Sequence, residues 1–168
     1  MEKVRPEISI GILASHNLVI EGVRRIIEHG PVNAEVMLGI NSVHRIIEYN
    51  KAHPLDLLIL IHFRVGLKVL KQIKHFKTVM PDTKLLLVNM VHNNQSVYRA
   101  LQQGMDAYVT RGNLSSELNH AISQILMGNT PYMNNNLFEK LHQFESDMLK
   151  KKMSMISYPA GSVMLSFI

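Results

Sequence analysis

Asp56-Leu57-Leu58-Ile59-Leu60-Ile61 is a run in which every residue after the aspartate is aliphatic. It is too short for a buried helix and lacks polar alternation, so it reads as a strand covered on both faces, as in a parallel sheet. On either side the chain alternates strand with helix. Upstream, Ile8 to Leu13 is a similar apolar run, and Val19, Val23, Ile26 and Ile27 fall at helical spacing. Glu35 to Ile40 reads as a strand and Val43 to Tyr49 as a helix. Downstream, a basic helix covers Val65 to Thr78, Pro81-Asp82-Thr83 turns the chain, and Lys84 to Met90 is a strand. Gln95 to Gln103 then forms a helix closed by Gly104, and Ala107 to Thr110 a short fifth strand. Asn113-Leu114-Ser115-Ser116-Glu117 supplies polar caps for a helix that runs to Met127 and stops at Gly128. Five strand–helix units with nearly all-apolar strands specify an α/β protein, a five-stranded parallel sheet with helices on both faces.

Composition agrees with one compact domain and a modest appendage. The 168 residues are 46% hydrophobic and 18% charged, and the 9 glycines are too few for a low-complexity chain. The count of zero cysteines excludes a disulfide framework and any thiolate metal site. Neither a leader pattern nor an apolar run of about 18 residues is seen, so a cytoplasmic, non-membrane setting is the expectation. A net charge of +5 favours acidic partners only weakly.

In open α/β sheets the ligand crevice lies at the carboxyl ends of the strands. Those ends read Leu13-Ala14-Ser15-His16, Ile61-His62-Phe63 and Val88-Asn89-Met90, without a carboxylate among them. Between Asp56 and Asp82, and again between Asp82 and Asp106, there is no Asp or Glu at all. Acid-based metal binding or nucleophilic chemistry at these ends is therefore not expected.

The stretch from Ile10 to Ile27, Ile10-Gly11-Ile12-Leu13-Ala14-Ser15-His16-Asn17 and onward to Arg24-Arg25-Ile26-Ile27, resembles the opening of a receiver domain of the LuxR/NarL-type response regulators. Further strings follow in the family's order. Pro54 to Ile61 resembles its third strand, Gly66 to Lys74 its third helix, and Ala100-Leu101-Gln102-Gln103-Gly104-Met105-Asp106-Ala107-Tyr108-Val109 its approach to the fifth strand. Gly128-Asn129-Thr130-Pro131-Tyr132-Met133 is similar to the exit from its last helix. The resemblance covers residues 8 to 133 and implies the flavodoxin-like receiver fold, strand order 2-1-3-4-5.

Matched position by position, the family's chemistry is largely missing. The acids that would hold magnesium fall on Ala14 and Ser15, and the aspartate nucleophile falls on Ile61, which cannot form an acyl phosphate. The lysine that would pair with the phosphoryl group falls on Arg111, and the switch hydroxyl falls on Asn89. The switch aromatic remains as Tyr108. The loop after Ile61 is also about three residues shorter than the family pattern.

Other features carry less. His16, His62 and His92, three of nine histidines, each follow a strand, but their spacing matches no short metal motif, and no metal or cofactor is expected. On the third helix Arg64, Lys68, Lys71, Lys74 and Lys77 alternate with Leu67, Leu70 and Ile73, which predicts a basic outer stripe over a buried apolar one. Beyond residue 133, Leu137, Leu141, Phe144 and Met148 share a helix face between Asn135 and Lys151 and form the candidate interaction surface. The resembled family continues into a helix-turn-helix domain; residues 134–168 provide only this helix and a tail ending in Val163-Met164-Leu165-Ser166-Phe167-Ile168.

The expectation is a non-enzymatic pseudo-receiver, occupying residues 1–133, in two-component signalling or transcription regulation. It would dimerise or bind a receiver-bearing response regulator, without sequence-specific DNA binding of its own. The alternative is a small-ligand sensor using the crevice around Ser15, Asn89 and Arg111.

Overall fold

A computed structural model describes residues 8–91, 93–112 and 114–156. The chain divides into two compact units, one ending at Asn134 and one beginning at Asn135. In the first, β1 (Ile8–Leu13), α1 (Asn17–Glu28), β2 (Ala34–Ile40), α2 (Val43–Ala52), β3 (Leu57–His62), α3 (Leu67–Val79), β4 (Lys84–Asn89), α4 (Asn94–Gln102), β5 (Ala107–Thr110) and α5 (Leu114–Leu126) follow one another. The second carries α6 (Asn135–Ile156).

The five strands form one parallel sheet in the order β2-β1-β3-β4-β5. β3 lies at its centre, with Ile59 opposite Ile12 on one side and Leu86 on the other. That position explains its composition, because a central strand is covered on both faces and Leu57 to Ile61 are all buried. Alternation assigns the faces. Ile10, Ile12, Ile59, Ile61, Val88 and Val109 belong to one core cluster with Val23 and Ile27 of α1 and Leu118 and Ile122 of α5. The intervening residues Leu58, Leu60, His62, Leu87, Asn89 and Tyr108 point the other way, toward the side of α2, α3 and α4.

Local chemistry sets the helix ends. Ser42 Oγ accepts from the Arg45 N–H at 3.3 Å and Asn93 Oδ1 from the Ser96 N–H at 3.1 Å, satisfying otherwise orphaned donors of α2 and α4. Gly104 and Gly128, the two stops expected from the sequence, have φ of 100° and 79°, a conformation glycine adopts without a Cβ penalty. Beyond α5 the chain passes a cis Thr130–Pro131 bond, and Tyr132 bridges Ala107 at the sheet edge.

Three sequence expectations need correction. The buried face of α3 is Val69, Ile73 and Phe76, whereas Leu67 is 68% exposed. Leu67 stands at the first turn, outside the stripe that meets the sheet. Lys77 also leaves the basic stripe, because its Nζ donates to Asp106 Oδ2 at 2.5 Å. The last helix continues to Ile156 rather than Lys151, since Lys150-Lys151-Lys152 are good helix formers.

Candidate functional site

The residues matched to the receiver's phosphorylation chemistry do gather at the carboxyl edge of the sheet. Ala14 follows β1, is 3% exposed, and donates its N–H to the Ile40 carbonyl at 3.2 Å, so it is held at the strand end by β2. Ser15, next along, is exposed. Ile61, at the end of β3 and opposite Val88, is 6% exposed and belongs to the same apolar cluster as Ala14. Burying such a side chain contributes about 1.5–3 kcal/mol. A carboxylate at that place would lose this and require a cation or donors in its stead.

Asn89, at the end of β4, is buried and turned to the opposite face. Its Nδ2 donates to Tyr108 Oη at 2.6 Å, and its Oδ1 accepts from the Val91 N–H at 3.4 Å. Tyr108 is itself 1% exposed, and burial pushes its phenol up to about 12, against the opposing effect of the Asn89 hydrogen bond. The ring is thus core filler and a polar anchor at once. Arg111 is exposed beyond β5. Of the three residues expected around a ligand crevice, Ser15 and Arg111 are exposed and Asn89 is buried against Tyr108.

The acids at the sheet have other duties, at its opposite edge. Asp56 Oδ2 accepts the Ser9 N–H at 2.8 Å and the Ser9 hydroxyl at 2.9 Å, tying β3 to β1. Asp106 accepts from the Leu85 N–H at 2.8 Å as well as from Lys77. Both stabilise strand starts, and neither reaches the strand ends where magnesium would sit.

Of the histidines, His16 is exposed, His62 half-buried, and His92 lies outside the described residues. Among the described residues no three His, Cys, Asp or Glu side chains come together as a metal site. Burial, and secondarily the Lys68 charge, hold the His62 imidazole below its ordinary range, with a Gln72 hydrogen bond acting the other way. His62 lines a crevice of about 340 Å³ together with Ser15, Asn41, Val43, Lys68 and Gln72. Asn41, Lys68 and Gln72 were missed in the sequence. Lys68 read as part of a solvated stripe, and no local pattern singles out Asn41 or Gln72.

On α6, Leu137 and Leu141 are buried, Phe144 is half-buried and Met148 is 46% exposed. A second apolar row, about a third of a turn away, consists of Phe138, Leu149 and Met153, all more than half exposed. The sequence held this signal in an 11-residue and a 4-residue spacing, close to three turns and one.

Comparison with solved structures identifies the class of fold. The chain has the receiver fold of LuxR-type response regulators. It superposes with a TM-score of 0.72 on a LuxR-family two-component response regulator from Aurantimonas sp., with 21% identity over 83% of this chain and 98% of that one. The isolated REC domain of RcsB from Salmonella enterica serovar Typhimurium gives 0.71 at 16% identity, over 81% of this chain and 99% of that one. RcsB in a DNA complex gives 0.69 at 17% identity, over 80% and 67%. No protein-family model and no curated protein matches the sequence. No helix among the described residues is long and apolar enough to cross a membrane.

Proposed function

We propose that this chain is a pseudo-receiver of the response-regulator type, a signalling or transcription-regulatory module that accepts no phosphoryl group and works by association. The observation that carries the reading is Ile61: an aliphatic side chain, buried in the same core cluster as Ala14, at the strand end where acyl-phosphate chemistry needs a carboxylate. In a working receiver, phosphorylation shifts a two-state surface through a local change of charge. With Ala14, Ser15 and Ile61 in place, the surface is fixed in one state and the partner reads it constitutively. No catalytic residue is assigned.

The association surface is placed on α6. Toward its end Met148, Leu149 and Met153 are exposed apolar side chains within two turns of one another, and exposed apolar surface of this kind marks a contact site. The partner is a second copy or another receiver-fold protein.

Sedimentation velocity of the full chain tests this. Self-association, or a complex with a co-purified receiver-fold partner, is expected for the parent protein and lost in Leu149→Asp with Met153→Asp at an unchanged unfolding midpoint. Monomeric parent protein without such a partner, or a variant that associates as the parent does, would refute the assignment.

A further inference from the structure

A crevice between the ends of β1, β2 and β3 and the first turns of α3 is lined by polar side chains beside apolar ones. It lies where the connections from β1 and β3 leave the sheet on opposite sides, which is where ligands enter doubly wound folds. Its volume of about 340 Å³ is within the range of small-ligand sites. Ser15, Asn41, His62, Lys68 and Gln72 line it, a set with one ammonium group and no carboxylate.

Two of these side chains stand together at the wall of the crevice. His62 Nε2 and Gln72 Oε1 are withdrawn from solvent and, beyond the interaction between these two side chains, have no hydrogen-bond partner among the described residues. Lys68 lines the crevice beside them, and its charge adds to burial in holding the imidazole below its ordinary range. A neutral ring can still donate from one nitrogen, and the hydroxyl of Ser15 and the amide of Asn41 supply further donors.

We propose that this crevice is a binding site for a small anion, a carboxylate or phosphate group held by Lys68 and hydrogen-bonded by Ser15, Asn41 and His62. The loss of acids at positions 14 and 15 is what makes this possible. Carboxylates there would repel an anion and neutralise Lys68, whereas Ala14 and Ser15 leave its charge uncompensated in the crevice lining. The site is independent of the association reading and stands on different residues.

The test is nuclear magnetic resonance of the full chain titrated with inorganic phosphate and, separately, with acetate, at constant ionic strength. A saturable shift of the Ser15 amide and the His62 ring protons is expected with at least one of the two, and the arm that saturates identifies the headgroup. Lys68→Met should weaken binding by about tenfold, the size of one charge-assisted contact. Lys74→Met, on the exposed side of the same helix and outside the crevice, should bind as the parent does. Shifts that do not saturate, are absent with both probes, or weaken equally in both variants would overturn the proposal; the last would reveal only diffuse positive charge. Unfolding midpoints of the two variants, expected to match the parent's, separate lost binding from lost fold.

Discussion

Replacing Tyr108 with Phe removes one oxygen from the core and leaves the Asn89 amide without its partner. The hydrogen bond is short, 2.6 Å, and neither residue is more than 1% exposed, so water cannot replace it. A buried donor stranded in this way costs about 1–3 kcal/mol. Urea unfolding of Tyr108→Phe, Asn89→Leu and the double variant measures it. Tyr108→Phe should lose about 1–3 kcal/mol, and the double variant should cost less than the two single changes summed, since removing both partners leaves nothing unpaired. A loss below about 0.5 kcal/mol together with strict additivity would refute the reasoning, because it would mean that the pair is not coupled in the folded protein.

Ile61→Asp should destabilise the fold by about 3–5 kcal/mol, by burying a charge without a partner, and should still not be phosphorylated because Ala14 and Ser15 remain; urea midpoints and intact mass check the two halves. His62 is held below its ordinary value of 6.5, so folding favours the neutral ring. Its contribution to stability is present above that value and lost as pH falls through the folded one. His62→Gln should therefore flatten the fall in unfolding free energy between about pH 7 and pH 5, and an unchanged slope would contradict it. Asp56→Ala should cost about 1 kcal/mol by releasing Ser9 from the start of β3, as read from the thermal midpoint, without altering association.

The strand positions were legible because the physics behind them is local. Apolar runs such as Ile8 to Leu13 and Leu57 to Ile61 are bounded by turn chemistry, and Gly104 and Gly128 close helices through a conformation that glycine favours. That Ala14, Ile61 and Asn89 stand at or just after strand ends was legible for the same reason. Orientation was less so. On α3 both Leu67, Leu70, Ile73 and Val69, Ile73, Phe76 have helical spacing, and only the angle at which the preceding loop delivers the helix selects the second set. The crevice was illegible because Ser15, Asn41, His62 and Lys68 come from four places in the chain, brought together by the crossovers of the sheet. The Asn89–Tyr108 pair is of this kind too, joining neighbouring strands 19 residues apart.

The central claim is that the carboxyl edge of this sheet has lost phosphoryl acceptance. Intact-protein mass spectrometry after incubation with acetyl phosphate and magnesium, beside a working LuxR-type receiver treated identically, tests it most directly. The account predicts that the working receiver gains one phosphoryl group and that this chain gains none. A labile phosphoryl group on any Asp or Glu of the first unit would contradict it.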